Sequence, residues 1–278
     1  MSENPSESGH GTGPCPSAVT SLGIGEVHTW LADLDHPPWP IAYLARSLSP
    51  DELRRAESFV FRQDQRRFIA ARGLLRWLLA GYLDGEPGLL RLRYGNWGKP
   101  ELATPSADPP LRFNCSRSHG LALYALTRGR RIGVDLEAIR DIPEADDIAR
   151  QWFSPQEQAT WKAAPPGQRP RTFLRVWTGK EAYAKAIGCG LSDDPQDLAP
   201  ALADTGPPGH LDDDRAESAV TWSVTELHPA EGYVGALVVE GGEYQLSQRF
   251  FRTPRPARRP ARGIRHDRCG CRPASHAD

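Results

Sequence analysis

Lysine is scarce in this chain of 278 residues. Of the 34 basic side chains only four are lysines, Lys99, Lys162, Lys180 and Lys185, and the other 30 are arginines. An ammonium group is a compact point charge, and a planar guanidinium does not replace it where a single phosphate oxygen must be reached. The few lysines that remain are therefore candidates for phosphate contacts.

Cysteines and long apolar runs are also few. The five cysteines are odd in number and scattered along the chain, which argues against a disulfide framework and for a reducing compartment. No apolar run approaches the ~18 residues of a membrane span. The first twenty residues lack the basic start and apolar centre of a signal peptide. We expect a cytoplasmic protein with no membrane partner.

The two ends of the chain lack the apolar residues that a core requires. Residues 1–20 are rich in Ser, Gly and Pro, and residues 253–278 in Pro, Arg and Gly, so we expect both to be disordered. From Arg252 onward eight arginines face two aspartates, which gives this end a net charge of +6 and the rest −7. A basic tail could steer an acidic partner, but we favour an unselected extension. We expect no nucleic-acid partner.

An internal repeat divides the remainder. Ser49-Pro-Asp-Glu52 recurs 105 residues later as Ser154-Pro-Gln-Glu157, and each reads as a helix start with Ser as N-cap and Pro in the first turn. At the same shift two further pairs match, Arg66 with Arg171 and Phe68 with Phe173. Chance matching is the alternative explanation.

The order of predicted elements supports the repeat. Apolar-striped helices are predicted over 65–82 and 171–187, and each precedes a pair of strands, over 120–126 and 132–136 and then over 220–224 and 233–239. Arg128-Gly129 predicts a hairpin turn between the first two strands. We therefore predict an α+β protein of two similar α/β halves packed as a pseudo-dimer, residues 21–138 and 139–252.

Acidic and basic groups concentrate in two segments. In the strand Ile132-Gly-Val-Asp-Leu-Glu137 the apolar residues alternate with Gly133, Asp135 and Glu137, so both carboxylates share one face. In the helix that follows, Glu181 and Lys185 are one turn apart. Three carboxylates and a lysine could together bind a divalent cation and a phosphate.

The helix at 171–187 carries its charges in an unusual place. Lys180 lies in the middle of the apolar arc, Glu181 lies within it, and Lys185 lies at its rim. Charged groups on a packing face cost several kcal/mol unless they are paired or bind something. The alternative is a surface Glu181–Lys185 pair worth about 0.3–0.5 kcal/mol, which their position on the arc disfavours.

Five motifs in order resemble those of the 4'-phosphopantetheinyl transferases. Gly133-Val-Asp-Leu-Glu137 and Trp177-x-x-Lys-Glu-Ala-x-x-Lys185 resemble the two signature motifs of this family. The other three, Gly98-Lys-Pro100, Phe113-Asn-Cys-Ser116 and Phe153-Ser-Pro-x-Glu157, resemble its Gly-Lys-Pro turn, Phe-Asn-x-Ser-His-Ser motif and Phe-x-x-x-Glu helix start. The likeness covers roughly residues 45–195 and extends to the monomeric type that activates surfactin synthetase.

The resemblance implies an enzyme that uses coenzyme A as co-substrate. It would transfer the 4'-phosphopantetheine group to a serine of an apo acyl or peptidyl carrier protein, releasing adenosine 3',5'-bisphosphate, and would act as a monomer. Asp135, Glu137 and Glu181 would hold Mg²⁺, which favours oxygen ligands. Lys185 would contact the α-phosphate, and Lys180 would help to hold the same region.

The resemblance leaves some roles open. Glu181 and Glu157 are the candidates for the base that takes the serine proton, directly or through a metal-bound water. Around the 3'-phosphate the implied groups are Arg55, Arg67, Arg72, Lys99 and Ser116. After that serine the family usually has His, whereas this chain has Arg117, with His119 two places later. Arg117 could serve the phosphate, His119 could take its place through a bulge, or the site could be weakened.

Two other functions remain possible at this stage. One is a different magnesium-dependent phosphoryl or nucleotidyl enzyme that uses the same carboxylates and needs no carrier protein. The other is a non-catalytic module that binds coenzyme A. Such a module would be expected to have lost a carboxylate or lysine of the two signature motifs, and all of these are present. The sequence does not identify the carrier protein.

Overall fold

The computed structural model describes residues 21–95, 98–104, 108–188, 209–213 and 220–251, so both tails that were predicted to be disordered lie outside the described residues. The first elements are β1 (Glu26–Asp33), α1 (Ile41–Ala45), α2 (Pro50–Glu57), α3 (Arg62–Leu83), β2 (Leu92–Tyr94), β3 (Pro100–Leu102), β4 (Leu111–Ser118), β5 (Leu121–Arg128) and β6 (Ile132–Ala138). Then follow α4 (Ala145–Trp152), α5 (Pro155–Ala163), α6 (Arg169–Ile187), β7 (Gly209–Asp213), β8 (Val220–Leu227), β9 (Tyr233–Glu240) and β10 (Gln245–Phe250). The predicted α+β class is confirmed.

Two four-stranded sheets organise the fold, in the orders β10-β1-β5-β4 and β6-β9-β8-β7. The predicted hairpin at Arg128-Gly129 is wrong. Both edges of β5 are taken by β1 and β4, so β6 instead pairs antiparallel with β9, with Asp135 opposite Ala236. The last strand, β10, runs parallel to β1. Each sheet therefore contains one strand from the other predicted half, β10 in the first sheet and β6 in the second. The division at residue 139 stays a prediction.

The layers run α3, first sheet, second sheet, α6. The outer face of the first sheet packs on α3 through a core that includes Trp30, Tyr124 and Leu78. Its inner face meets the second sheet through Leu123, Ala125, Val134, Leu237 and their neighbours. The outer face of the second sheet packs on α6 through another cluster, Ala182, Tyr183, Trp222, Val224, Ala236 and Val238. This arrangement confirms two sheet-containing halves packed together.

The internal repeat reappears as matching helix starts. Ser49 caps α2 and Ser154 caps α5, each in a capping box whose acid, Glu52 or Glu157, bonds back to the N-cap backbone. Each of these buried acids also pairs with a buried base of the long helix that follows. The pairs are Glu52 with Arg76 at 2.7 Å and Glu157 with Lys180 at 3.0 Å. No helix among the described residues is long and apolar enough to cross a membrane.

Candidate active site

The absence of a side chain at Gly133 brings β6 against α6. A Cβ atom there would lie 1.9 Å from the carbonyl oxygen of Ala182 and 2.5 Å from the amide nitrogen of Ala186, so only glycine permits this approach. Because side chains alternate along a strand, the two carboxylates of β6 share the face of Gly133. The close packing therefore carries them towards the helix that bears Glu181 and Lys185.

Asp135 is the most enclosed acid of the site, with 3% of its surface exposed. Its Oδ1 atom accepts hydrogen bonds from Ser116 Oγ at 2.7 Å and from Lys185 Nζ at 2.5 Å. Its Oδ2 atom is buried and has no hydrogen-bond partner among the described residues. A buried carboxylate oxygen without a partner is costly, so this atom is suited to a ligand.

Glu181 and Lys185 are electrostatically coupled to Asp135. Burial raises the pKa of Glu181; Lys185 opposes this shift, whereas the neighbouring carboxylates of Asp135 and Glu137 add to it. Burial acts to lower the pKa of Lys185, but the charges of Asp135 and Glu181 and the hydrogen bond to Asp135 outweigh it and raise the pKa. Asp135, Glu137 and Lys185 therefore all lie within electrostatic range of Glu181.

Glu137, near the end of β6, is held by two hydrogen bonds. Its Oε2 atom accepts from Ser118 Oγ at 2.9 Å and from the Arg140 guanidinium at 3.2 Å. Both hydrogen bonds that the described residues make to this carboxylate use the same oxygen. As with Asp135, one oxygen is engaged by a serine of β4 and a cation.

The donor set fits a hard divalent cation in chemistry, although the carboxylates are not gathered around one point. As the side chains lie, the described residues contain no group of three or more His, Cys, Asp or Glu side chains that could hold a metal ion. The ammonium group of Lys185 is the cation that contacts Asp135. The unpartnered Oδ2 atom of Asp135 and the nearby carboxylates of Glu137 and Glu181 are nevertheless the oxygen ligands that Mg²⁺ prefers.

Glu157 and Lys180 pair with each other, away from the carboxylate cluster. The Lys180 side chain is 0% exposed, and its Nζ lies 3.0 Å from Glu157 Oε2. That same oxygen accepts the backbone N–H of Ser154 at 2.7 Å as part of the helix cap. The position of Lys180 on the apolar arc is therefore accounted for by a buried ion pair.

A cavity of about 360 Å³ opens beside Ser116 and Lys185. Its lining combines β4, the start of β3 and one face of α3, with Arg72, Lys99 and Arg117 as cations. The Arg72 guanidinium lies over the rings of Phe68 and Tyr94, and its Nη1 atom is buried without a hydrogen-bond partner among the described residues. A cationic cavity of this size is suited to a phosphorylated ligand.

Lys99 connects this cavity to the carboxylate cluster. Its Nζ atom donates to the carbonyl oxygens of Lys185, at 2.6 Å, and Ile132, at 3.2 Å, so it joins the start of β6 to the last turn of α6. Burial lowers the pKa of Lys99 to about 8. An ammonium has three donors, so one remains after these two contacts.

The other predicted phosphate contacts differ in position. Arg117 lines the cavity and lies over the Phe68 ring, whereas His119 occupies the exposed β4–β5 turn with a positive φ of 51°. Arg67 is held by Asp35 through two short contacts, 2.8 and 2.6 Å. Arg55 is exposed and lies over the Phe59 ring. Neither Arg55 nor Arg67 is among the residues that line the cavity.

Two residues of β4 to which the sequence assigned no role, Asn114 and Ser118, also reach the site. Asn114 Oδ1 accepts the backbone N–H of Val134 at 2.8 Å, and Ser118 bonds to Glu137. Together with Ser116 they occupy every second position of one strand, and this period-two spacing of polar residues was a detectable signal. What could not be detected was that β4 faces β6.

Comparisons with known proteins agree on one family. The sequence model described as "4'-phosphopantetheinyl transferase superfamily" matches residues 131–238, and the one described as "4'-phosphopantetheinyl transferase, N-terminal" matches residues 37–127. The 4'-phosphopantetheinyl transferase HetI of Nostoc is 40% identical over 232 residues, which cover 84% of this chain and 94% of that protein. A putative 4'-phosphopantetheinyl transferase of Synechocystis is 32% identical over 73% of this chain and 89% of that protein. The 4'-phosphopantetheinyl transferase of Bacillus subtilis is 28% identical over 59% of this chain and 73% of that protein.

Proposed function

As a member of the 4'-phosphopantetheinyl transferase superfamily, the chain transfers the 4'-phosphopantetheine group of coenzyme A to a carrier protein, and we propose that the cluster around Asp135 is where this transfer occurs. The observation that carries the proposal is the environment of Asp135. One buried oxygen is held by Ser116 and Lys185, and the other has no partner among the described residues. The nearer kinship with the surfactin-synthetase-activating type stays a prediction.

Coenzyme A would enter through the cationic cavity. Arg72, Lys99 and Arg117 supply the charges for its nucleotide end, and Arg117 takes the part of the histidine that the family motif has at that position. Arg117 is favoured over His119 because the histidine lies in the turn beyond the strand. Lys185, which also lines the cavity, is suited to contact the α-phosphate as a point charge. Arg55 and Arg67 are less favoured, since one is exposed and the other is paired with Asp35.

Magnesium would be held by Asp135, Glu137 and Glu181. The Oδ2 atom of Asp135 supports this assignment, because an unpartnered buried carboxylate oxygen favours a cation. A bound Mg²⁺ would neutralise charge on the pyrophosphate and on the leaving group. The serine oxygen of the carrier then attacks the phosphorus that bears the pantetheine. A new oxygen–phosphorus bond forms, and the bond to the bridging oxygen breaks with its electron pair leaving on adenosine 3',5'-bisphosphate.

Glu181 is the base we favour for the serine proton. Its carboxylate lies within electrostatic range of Asp135 and Lys185 at the proposed transfer site, and it would take the proton directly or through a metal-bound water. Glu157 is the alternative, but its carboxylate already accepts from Lys180 and from the backbone of Ser154. A proton acceptor needs a free oxygen within reach of the substrate, so these contacts favour a structural role for Glu157.

The chain is proposed to act as a monomer in the cytoplasm, without a membrane or nucleic-acid partner. One chain supplies both sides of the site, with Ser116 from the first sheet and Asp135 from the second. No second copy is needed to complete it. Light scattering during gel filtration would test the oligomeric state, and a dimer that dissociates with loss of activity would contradict this part of the proposal.

The test of the transfer is incubation of the full-length protein with coenzyme A, Mg²⁺ and a panel of apo acyl and peptidyl carrier proteins. Intact-mass measurement should show one phosphopantetheine group added to at least one carrier. No addition to any carrier, together with hydrolysis of coenzyme A, would instead favour another magnesium-dependent phosphoryl enzyme. Binding of coenzyme A without any turnover would favour a binding module.

The base is tested with a matched pair of substitutions. Glu181→Gln should lower kcat by about 10²- to 10⁴-fold, the usual contribution of a general base. Glu157→Gln should lower thermal stability but change kcat of the folded fraction by less than about tenfold, or 1.4 kcal/mol. An equal loss of kcat in Glu157→Gln at unchanged melting temperature would move the base to Glu157. Asp135→Asn, titrated with Mg²⁺, tests the metal assignment independently.

A further inference from the structure

Three polar side chains of β4 form a contact with β6 that we call the seam. The two strands belong to different sheets, and alternate residues of β4 turn the same way towards β6. The contacts are Val134 N to Asn114 Oδ1 at 2.8 Å, Ser116 Oγ to Asp135 Oδ1 at 2.7 Å, Ser118 Oγ to Glu137 Oε2 at 2.9 Å and Ala138 N to Ser118 Oγ at 3.0 Å. Side chains of the first sheet thus hold the acidic strand of the second.

The direction of the Ser118 hydroxyl follows from its two partners. The backbone N–H of Ala138 can only donate, so it uses a lone pair of Ser118 Oγ. An ionised carboxylate can only accept, so the single hydroxyl proton of Ser118 points at Glu137 Oε2. The Nδ1 atom of His119 lies 3.4 Å from Ser118 Oγ, which is a longer contact. Because Ser118 is itself buried and oriented by the backbone, it fixes the rotation of the Glu137 carboxylate.

Each of the two acids of β6 is held in the same way. A serine of β4 and a cation share one oxygen of each carboxylate: Ser116 and Lys185 at Asp135, Ser118 and Arg140 at Glu137. This leaves Oδ2 of Asp135 without a partner among the described residues. The Oε1 atom of Glu137 takes part in neither of the two hydrogen bonds that the described residues make to this carboxylate.

We infer that Ser118 is a positioning residue, whose hydroxyl holds Glu137 in the orientation that binds the divalent cation. The inference rests on the proposed magnesium site. Hydrogen-bond partners behind a metal ligand typically contribute 10- to 100-fold in metal affinity, because they restrict the ligand to its productive orientation. Ser118 is not among the residues that line the cavity, so its effect should fall on the metal alone.

The experiment uses Mn²⁺ as the probe, with full-length protein saturated with coenzyme A. Free Mn²⁺ measured by electron paramagnetic resonance gives the dissociation constant for the wild type and for Ser118→Ala. We expect Ser118→Ala to raise the Mn²⁺ dissociation constant about tenfold or more and to leave the coenzyme A dissociation constant nearly unchanged. The matched control is Ser223→Ala, a buried strand serine of the same sheet as β6 that donates to the Gly241 carbonyl at 2.8 Å.

The outcomes of this experiment separate the possibilities. An unchanged Mn²⁺ dissociation constant in Ser118→Ala overturns the inference, as does an equal rise in Ser223→Ala, which would indicate general loosening of the sheet. If Asp135→Asn also leaves Mn²⁺ binding unchanged, the proposed metal site itself fails. Should Ser118→Ala not fold, Ser118→Cys keeps a side chain of similar size with only a weak donor. It should show the same rise in the Mn²⁺ dissociation constant, and wild-type Mn²⁺ binding in that variant overturns the inference.

Discussion

Replacement of Gly133 by alanine should separate β6 from α6 and disable the site. The added Cβ would lie 1.9 Å from the Ala182 carbonyl oxygen, whereas ordinary contact begins at 3.4 Å, so strand and helix must move apart by about 1.5 Å. The atoms it meets, the Ala182 oxygen and the Ala186 nitrogen, are backbone atoms inside a helix. No rotation of a side chain can relieve the contact.

A displacement of this size should reduce both the stability of the protein and its kcat. Overpacking of a core costs about 1–3 kcal/mol, occasionally more. For a chain of roughly this size each kcal/mol lowers the melting temperature by about 2–4 °C. A misplacement of a reacting group by about 1 Å can cost on the order of 10²-fold in rate. We therefore expect Gly133→Ala to fold with reduced stability and to lose about 10²-fold in kcat.

The assay is phosphopantetheine transfer to one good carrier protein, measured together with thermal unfolding. Gly167→Ala is the matched control, because a Cβ there meets nothing within 4 Å. The control should keep the wild-type rate and melting temperature. Wild-type kcat and stability in Gly133→Ala would contradict this prediction, because the site would then not depend on the close approach of the acidic strand and the lysine-bearing helix.

Two further predictions concern the lysines of α6. Lys180→Met should destabilise the protein by about 3–5 kcal/mol, because it leaves the buried Glu157 carboxylate without its cation. Denaturant unfolding measures this, and the double variant with Glu157→Gln should recover much of the loss; a double variant no more stable than Lys180→Met would contradict it. Lys185→Arg should reduce kcat by about 10²-fold with little change in coenzyme A affinity, because the charge is kept but a longer, planar group must fit beside Asp135. Wild-type turnover in steady-state kinetics of Lys185→Arg would mean that Lys185 is only a general counter-charge.

Local patterns predicted the elements well. The helices expected over 65–82 and 171–187 are α3 and α6; α3 begins three residues earlier and ends one residue later than predicted, and α6 begins two residues earlier and ends as predicted. The alternation in β6 correctly placed Asp135 and Glu137 on the face opposite the apolar residues, which pack between the sheets. These features depend on side-chain periodicity along a short segment, and sequence carries that information directly.

The partners of the charged side chains were harder to predict from the sequence. Lys180 stands out because it lies on an apolar arc, and the family resemblance implies that it helps to hold the phosphate region, a role that stays a prediction. The structure has it fully buried against Glu157, the capping acid of another helix. A charge on a packing face signals that a partner exists, but it does not identify the partner. The position of Glu157 relative to α6 depends on how α5 packs, which no local pattern states.

Residue patterns along the chain are sufficient to predict the α+β class, the internal repeat, the acidic strand, the helix with its two lysines and the family to which they belong. The pairing of β6 with β9, and not with its sequence neighbour β5, depends on the three-dimensional fold, because both edges of β5 are already occupied. That exchange sets β6 beside β4 and against α6, where Ser116, Ser118 and Lys185 reach its carboxylates. Strand edges that lie far apart in the sequence compete for the same backbone hydrogen bonds. Which strands pair therefore depends on the whole fold.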